Sequence, residues 1–349
     1  MPTPVELGYR MPAEWHHHHA TWLSWPKDPE TWPARVPQVE EIFLKMIAAL
    51  APHETVNLLV DNEEIEQSVR RRCAFPDAEN VHYHQIPTVD SWIRDYGPNF
   101  LLNAKGGLAY NDWIFNAWGN KYEELKEDDS IPARLESLLR VPRFEPGIVM
   151  EGGSIEVNGA GCVLTTEQCL LNPNRNPCLS KNEISEYLKN YLGVENVLWL
   201  GEGIVGDDTD GHIDDIARFA FPNVIVCAIE DDPTDANYKL LQDNLKRLKL
   251  MTDAKDRPFE IVTLPMPGIV GGTSTDSRDL ERLPASYVNF YIANNVVLAP
   301  IFGHENDTRA LTALEKLFPS RRVVGINCEP LVWGMGTIHC VTQQQPEPI

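Results

Sequence analysis

The segment Ser180-Lys-Asn-Glu-Ile-Ser-Glu-Tyr-Leu-Lys-Asn-Tyr-Leu-Gly-Val-Glu-Asn-Val-Leu-Trp-Leu200 predicts a capped helix that runs directly into a strand. Ser180 and Glu183 have the spacing of a capping box, and Gly193 is suited to end the helix in a left-handed conformation. The apolar residues between them recur on one helical face: Ile184, Tyr187, Leu188, Tyr191 and Leu192. Residues 197–200 then form a short run with strand propensity.

The same helix-then-strand order recurs along the chain. Helical patterns cover residues 39–50, 122–139 and 307–318, and another begins at Asp232-Pro233; the second is interrupted at residues 130–132. Hairpin-like strand pairs lie between the helices, at residues 99–110, 154–164, 217–226 and 289–298. With residues 336–342 as a strand of the last unit, the chain contains roughly five strand-strand-helix-strand modules. Because no linker divides them, we expect an α/β fold in a single domain, residues 1–349.

Length and composition favour a globular protein. At 349 residues with 43% hydrophobic side chains, the chain is long enough to bury a sizeable core. It contains no run of eighteen apolar residues, and its N-terminus has neither a basic start nor an apolar stretch. The cysteines form no CxxC pair and no metal-ligand spacing. We therefore expect a soluble, cytoplasmic protein with reduced thiols.

The charge of the chain indicates which partners it can attract. The formal net charge is −21, from 51 acidic and 30 basic residues, and the estimated pI is near 4.8. Such a surface repels nucleic acid and anionic membranes and attracts small cations. A small cationic substrate is therefore a natural ligand class, although acidity by itself also serves solubility. The sequence leaves homo-oligomerisation open.

Four consecutive histidines, residues 16–19, lie inside the chain rather than at its end. A purification tag would be terminal and flanked by linker residues, so we interpret this run as a native polar loop. No further ligands lie near it in the sequence, and we expect no metal site there.

Cys340 is the candidate nucleophile. It follows a glycine-rich turn that contains Gly334 and Gly336, whose backbone can approach a ligand closely. A cysteine attacks as its thiolate and needs a basic partner, for which His212 is the candidate. A buried, inert thiol is the alternative interpretation of a free cysteine. His339, directly before Cys340, is expected to face the opposite side of a strand and to be structural.

Polar residues that could complete a site are spread over the modules. Asp214 follows His212 by two residues, which would put both on one face of a strand; the pair could also be a fragment of a metal site. Three more stand at the starts of the first, second and fourth hairpins: Asp95, Glu151 and Asn289. Asp95 could also simply pair with Arg94 or cap a turn. If the modules pack around a central axis, all these positions converge on one pocket.

Together, these segments resemble the guanidine-modifying family, in the group that also contains the bacterial peptidylarginine deiminase. The matching segments are Trp92-Ile-Arg-Asp-Tyr-Gly-Pro98, Glu151-Gly-Gly-Ser154, Asp207-Asp-Thr-Asp-Gly-His-Ile-Asp214, Ala285-Ser-Tyr-Val-Asn-Phe290 and Ile338-His-Cys-Val-Thr-Gln343. They occur in order over nearly the whole chain, so their joint match is far more specific than any one of them. The family's fold is a five-bladed α/β propeller, called a pentein, which agrees with the modules counted above.

The resemblance implies hydrolytic deimination of a guanidinium without a metal or an organic cofactor. The implied catalytic residues are Cys340 as nucleophile, His212 as acid and base, Asp95 and Asp214 as the carboxylates that hold the guanidinium, and Glu151 as a support that orients His212. The implied substrate-binding residues are Trp92, as a wall of the pocket, Asn289 and the same two aspartates.

Two positions depart from the family pattern. Met335 stands between two glycines where a third is usual, and Glu156 stands where histidine is frequent. Neither change removes a catalytic group, but Met335 can alter the floor of the pocket. The resemblance favours agmatine as the substrate, with peptidylarginine or free arginine as the runner-up. A non-enzymatic pentein-fold binding protein is the alternative of a different class, whereas a papain-like protease would need a cysteine signature that is absent near the N-terminus.

Overall fold

The computed structural model describes residues 2–268, 270–271 and 282–348. Within these residues the strands form five sheets. In order across each sheet, the first contains Tyr9–Arg10, Asn99–Asn103, Leu108–Asn111 and Arg143–Phe144, and the second contains Glu156–Val157, Cys162–Thr166 and Asn196–Leu200. The third contains Ala217–Phe221, Val224–Ile229 and Glu260–Pro265, and the fourth contains Tyr291–Ala293, Val296–Ile301 and Arg322–Asn327. The fifth contains Gln343–Pro346, His18–Ser24, Thr55–Val60 and Val81–Gln85.

Helices connect and flank these strands. The α-helices of the described residues are Val36–Leu50, Glu63–Arg72, Ile93–Tyr96, Ala117–Asn120, Ile131–Leu139, Glu167–Leu170, Lys181–Leu192, Asn237–Leu250 and Asn306–Leu317. Short 3-10 helices lie at Val5–Leu7, Ala78–Asn80, Glu124–Ser130, Gly152–Ser154, Ile213–Asp215 and Val332–Gly334.

All five sheets share one local topology. Each contains an antiparallel strand pair whose second strand also pairs in parallel with a third strand. A helix connects the two parallel strands in every case, as a parallel crossover requires. The strand-strand-helix-strand order predicted from the sequence is therefore confirmed. In the fifth sheet the antiparallel partner, Gln343–Pro346, comes from the other end of the chain and pairs with His18–Ser24.

The helix at Lys181–Leu192 forms as its sequence predicts. Ser180 and Glu183 make a reciprocal capping box, and Gly193 ends the helix at φ 68°, where a side chain would be strained. Such a cap contributes about 1 kcal/mol. Ile184, Leu188 and Leu192 are buried on the face that the apolar pattern indicates.

Two other helices have different boundaries from those expected. The helix predicted from Asp232-Pro233 begins at Asn237, because the Asp232 side chain accepts a hydrogen bond from the Thr234 N–H and holds a turn instead. The pattern at residues 122–139 divides into the 3-10 helix Glu124–Ser130 and the α-helix Ile131–Leu139. Pro132 then lies in the first turn, where its missing N–H has no intrahelical partner to lose.

Three expectations about local structure are wrong. Residues 336–342 do not form a strand; the last strand begins at Gln343, and Cys340 lies in the preceding turn. His212 and Asp214 do not lie on a strand either, since the 3-10 helix Ile213–Asp215 begins directly after His212. The histidine run is not a simple polar loop: His18 starts a strand, is buried, and lies 3.1 Å from Glu54.

Two further observations concern membrane spanning and the cysteines. None of the helices in the described ranges is both long and apolar enough to cross a membrane. All of the cysteines are free thiols.

Candidate active site

An acidic pocket of about 360 Å³ opens beside Cys340. Its carboxylates are Asp28, Glu30, Asp90, Asp95, Glu124 and Asp208, and its aromatic side chains are Trp92, Trp118, Tyr122 and Trp333. No lysine or arginine is among the described residues that line it. Since Trp92 lies in the lining, the expected wall of the pocket is present. The charge and the flat apolar surfaces of this pocket suit an organic cation.

The Cys340 thiol lies at the pocket and is contacted by the side-chain amide of Asn289. The side chain of Cys340 is 6% exposed, and the Asn289 Nδ2 donor is 3.2 Å from its sulfur. Asn289 Oδ1 accepts hydrogen bonds from Thr337 Oγ1 at 2.7 Å and from the His339 N–H at 3.0 Å. Asn289 therefore fixes the turn that carries the thiol, whereas it is not part of the pocket lining.

Burial and nearby carboxylates raise the pKa of the Cys340 thiol well above its ordinary value. The carboxylates concerned are Asp214, Asp215 and Asp95, and Asp214 Oδ2 is 3.7 Å from the sulfur. The thiol is therefore protonated at neutral pH until a positive charge offsets this field.

Both glycines of the Gly334–Gly336 turn are required by close contacts. A Cβ on Gly334 would lie 2.5 Å from Trp32 Nε1, and one on Gly336 would lie 2.6 Å from the Trp92 ring and 3.2 Å from the Cys340 sulfur. Met335, between them, has a left-handed backbone with φ 71° and lines the pocket. The departure from the glycine pattern thus places a flexible apolar side chain at the pocket, on a backbone conformation that favours glycine.

Asp95 is presented by the short helix Ile93–Tyr96. Its Oδ1 accepts the Gly153 N–H at 2.9 Å, and its Oδ2 accepts the Trp118 Nε1–H at 2.9 Å. It does not pair with Arg94, whose guanidinium instead faces Gln344, Glu14 and the carbonyl of His339. Burial raises the pKa of Asp95, with His212 opposing and Asp214 adding to the shift.

His212 and Asp214 are positioned by a tight loop that Asp207 organises. Asp207 Oδ2 accepts the backbone N–H groups of Gly211 at 2.9 Å and His212 at 3.1 Å. Asp214 Oδ2 accepts a hydrogen bond from His339 Nδ1 at 2.7 Å, and its buried Oδ1 has no hydrogen-bond partner within the described part of the chain. One oxygen of Asp214 is therefore fixed and the other is available to a ligand.

The His212 ring is buried with unused hydrogen-bonding capacity. Nδ1 is 3.8 Å from Asp95 Oδ1, and neither ring nitrogen has a hydrogen-bond partner among the residues that the structure describes. Burial lowers the pKa of His212, but Asp95, followed by Cys169 and Glu151, outweighs burial and raises the pKa well above its ordinary value. A protonated His212 can donate a proton to a leaving group.

The functional groups converge where the Glu151-Gly152-Gly153 segment passes through the site. A Cβ on Gly153 would lie 2.6 Å from His212 Nδ1, 2.8 Å from Asp95 Oδ1 and 3.1 Å from Asp214 Oδ2. Three groups from two distant parts of the chain thus surround a single point on a third segment. The absence of a side chain at residue 153 allows this arrangement.

We expect Gly153→Ala to lower kcat/KM on the order of 10²-fold, because the methyl group must displace His212 or a carboxylate by a substantial fraction of an ångström. The reaction rate and the melting temperature of the variant would be measured together. Gly201→Ala is the matched control, since its added Cβ would meet only side-chain ends, the Arg247 guanidinium at 3.3 Å and Asn244 Oδ1 at 3.4 Å. Near-normal kinetics for Gly153→Ala would mean that the three groups need not be held this tightly.

Glu151 is fixed by Arg175, which the sequence gave no reason to select. Arg175 Nε donates to Glu151 Oε1 at 2.6 Å, and the same guanidinium bonds Asp210 and the carbonyl of Thr209. Glu151 Oε2 is buried, is oriented by this pair, and has no partner in residues 2–268, 270–271 and 282–348. The predicted contact that orients His212 is not formed as a hydrogen bond in the structure, although the two side chains are neighbours.

One group of side chains has the composition of a metal site. Potential ligand atoms of Glu151, Cys169 and His212 lie within 4.8 Å of one another. Arg175 already neutralises Glu151 at 2.6 Å, however, and a cation would have to compete with that guanidinium.

Sequence reasoning missed four side chains that hold the site: Glu14, Trp118, Arg175 and His339. Trp118 and Arg175 bind Asp95 and Glu151, respectively. His339 was expected to be structural and to face away, but it bonds Asp214 because residues 338–341 form a turn and not a strand. Glu14 lies in Met11-Pro-Ala-Glu-Trp15, and its contact with His339 joins positions 325 residues apart.

The α/β fold of the chain matches that of pentein-type, guanidine-modifying proteins. The chain belongs to the Porphyromonas-type peptidyl-arginine deiminase family, whose family model matches residues 10–346. This assignment confirms the resemblance seen in the sequence motifs.

Relatives and solved structures agree with the family. A Legionella pneumophila protein named as a candidate agmatine deiminase is 41% identical over 346 residues, which cover 99% of this chain and 97% of the relative. The structure of Enterococcus faecalis agmatine deiminase is similar over 100% of this chain and 99% of that one, with a TM-score of 0.92 and 35% identity. The structure of a Cys-to-Ser variant of C. jejuni agmatine deiminase with substrate bound is similar over 98% of this chain and 97% of that one, with a TM-score of 0.87 and 29% identity.

Proposed function

We propose that this protein hydrolyses agmatine to N-carbamoylputrescine and ammonia, a step toward putrescine. The observation that carries the proposal is a pair of buried carboxylates at the nucleophile: Asp95 lines the acidic pocket together with Cys340, and Asp214 Oδ2 lies 3.7 Å from the Cys340 sulfur. A planar guanidinium offers N–H groups in pairs to two carboxylates and places its carbon between them. Relatives over the full chain length that are named agmatine deiminases support the same reaction.

Substrate binding would also activate the nucleophile. The carboxylates that hold the guanidinium are among those that raise the pKa of Cys340. A bound cation offsets their charge, so it favours the thiolate at the moment when the reacting carbon is in place. The proton would pass to solvent or to a neighbouring base before attack.

In the first half of the reaction, the thiolate forms a bond to the guanidinium carbon and gives a tetrahedral adduct. Protonated His212 donates its proton to the departing nitrogen, and the C–N bond breaks to release ammonia. The product on the enzyme is a covalent amidino-Cys340. The paired carboxylates hold the positive charge of this intermediate next to the sulfur.

In the second half, neutral His212 accepts a proton from water while the water oxygen attacks the amidino carbon. Collapse of the adduct breaks the C–S bond, returns the electron pair to sulfur, passes the remaining hydroxyl proton to the thiolate or to solvent, and releases the ureido product. His212 is protonated again for the next turnover. Neither half of the cycle needs a redox partner.

The pocket favours agmatine over arginine. Agmatine carries a second positive charge and no carboxylate, whereas arginine would bring its α-carboxylate toward the acidic lining. Glu30 and Glu124 are exposed at the rim, and Asp208 lies near them in the pocket. No described lining residue is a lysine or an arginine that could meet a carboxylate. A substrate carboxylate would meet acidic groups there, and the neighbouring cation, Lys121, is already paired with Asp208 at 3.3 Å and Asp210 at 3.1 Å.

Ammonia release from agmatine, arginine and an arginine-containing peptide tests both the reaction and its selectivity. We expect agmatine to be preferred by at least about 10²-fold, and kcat/KM for it to fall with added salt, because screening weakens the attraction of a dication. A neutral buffer additive at equal osmolality controls for non-ionic effects. Equal or better use of either arginine substrate would contradict the substrate assignment, and no release from all three would contradict the reaction.

Three further features belong to the proposal. We infer that the five sheets form blades around a central axis as a five-bladed α/β propeller, supported by their shared topology and by the pairing of Gln343–Pro346 with His18–Ser24. We also infer a single catalytic domain over residues 1–349 and a cytoplasmic location. Free thiols at every cysteine support a reducing compartment.

A further inference from the structure

His339 lies between two buried carboxylates from distant parts of the chain. Its Nδ1 is 2.7 Å from Asp214 Oδ2, and its Nε2 is 2.9 Å from Glu14 Oε2. A neutral imidazole has one N–H and one lone pair, so one of these contacts would set a lone pair against a carboxylate oxygen. Both contacts are favourable only when both ring nitrogens carry a proton.

The surrounding charges balance when His339 is positive. Glu14 pairs with Arg218 at 2.8 Å and lies 3.5 Å from Arg94, while Glu156 pairs with Arg218 at 2.7 Å. The three carboxylates of this buried group are Glu14, Glu156 and Asp214, and its cations are Arg94, Arg218 and His339. Buried charges require such pairing, and a neutral His339 would leave one carboxylate uncompensated.

Other polar groups that face this cluster do not remove the need for the charge. His18 meets the backbone carbonyl of Glu14 and pairs with Glu54 instead of with the Glu14 carboxylate. The Cys340 thiol is 3.7 Å from Asp214 Oδ2 but is neutral while it is protonated. Ile292 contributes only a backbone N–H to Glu14 Oε1.

We propose that His339 is a permanently protonated positioning residue, whose imidazolium fixes Asp214 through Oδ2 and leaves Oδ1 for the guanidinium of the substrate. The inference rests on the proposed function only for the identity of that guanidinium. The backbone of His339 supports the same role, since its N–H bonds Asn289 and its carbonyl accepts from Arg94. One residue thus ties the turn that carries the thiol to the carboxylate that faces it.

The protonation state can be measured without turnover. In the substrate-free protein labelled with 15N-histidine, the His339 ring signals, assigned by their loss in His339→Gln, should show two protonated nitrogens from about pH 6 to 9. Glu14→Gln should remove the need for the second proton, and only one ring nitrogen of His339 should then remain protonated. A wild-type His339 with a single protonated ring nitrogen would overturn the proposal.

Kinetic measurements on variants distinguish an effect of the His339 charge on Asp214 from an effect of hydrogen bonding alone. His339→Gln should lower kcat/KM for agmatine about 10- to 100-fold and add a second ionisation, that of Asp214, to the acid limb of its pH profile, because Asp214 loses the cation that keeps it ionised. In the double variant Glu14→Gln/His339→Gln, the two amides and Asp214 can hydrogen-bond in series without a cation at residue 339. We expect the double variant to recover thermal stability and to keep the second ionisation in the acid limb.

The outcomes are distinguishable from a failure of the proposed function. If the double variant restores the wild-type pH profile, hydrogen bonding suffices and the fixed charge is not required. An acid limb in His339→Gln that keeps the wild-type shape, with no second ionisation, would contradict the positioning role. His53→Gln, an exposed histidine, is the matched control and should behave as wild type. Inactivity toward agmatine would overturn the proposed reaction, whereas the ring-nitrogen measurement would still test His339.

Discussion

Cys340→Ser should lower turnover of agmatine on the order of 10⁴-fold or more while the protein remains folded. The serine hydroxyl is nearly isosteric with the thiol but far less acidic, so a bound guanidinium cannot generate the alkoxide at neutral pH. The Asn289 Nδ2 donor, 3.2 Å from the sulfur, can instead bond the serine oxygen and preserve the turn. Steady-state ammonia release and the melting temperature give the two required measurements.

The covalent step can be located directly. Wild-type protein quenched in acid during turnover should carry an amidino mass on the peptide that contains Cys340, and the Ser variant should not. Cys178→Ser is the control, because Cys178 is the exposed cysteine and lies outside the site. An adduct on Cys169 or another thiol, or a Ser variant with substantial activity, would contradict the assignment of the nucleophile.

The sequence was most informative where local chemistry determines the structure. The capping box at Ser180 and the helix end at Gly193 form as predicted, because each depends only on neighbouring residues. The hairpins also form where their turn residues indicate. Local patterns selected Cys340, His212 and the two aspartates only as candidates, each with a structural alternative, and the joint motif resemblance then gave them their implied roles.

The rest of the site depends on contacts that no local pattern records. His339 was misjudged because a strand alternates its side chains, whereas residues 338–341 form a turn that brings the ring to Asp214. Arg175 lies in a polar loop and resembles an ordinary surface arginine, yet it is fully buried against Glu151. Long-range pairs of this kind become visible only when the fold has placed both partners.

The two aspartates should have equally large effects on rate but different effects on pH dependence. Asp95→Asn and Asp214→Asn should each lower kcat/KM on the order of 10²-fold or more, because each replaces a charge-assisted contact and misplaces the reacting carbon. Asp243→Asn, which changes an exposed carboxylate paired with Arg247, is the matched control. Wild-type rates in either site variant would show that other groups hold the guanidinium.

Their surroundings predict which aspartate sets the acid limb of the wild-type profile. Burial raises the pKa of Asp95, whereas for Asp214 burial is outweighed by His339 and the net pKa is lowered. Because the ionised forms bind substrate, activity should fall as pH falls through the raised pKa of Asp95, while Asp214 is still charged. The limb should therefore vanish or move to lower pH in Asp95→Asn and persist, at reduced rate, in Asp214→Asn. The reverse pattern in kcat/KM profiles would mean that Asp214 is the titrating carboxylate and that His339 does not hold it ionised.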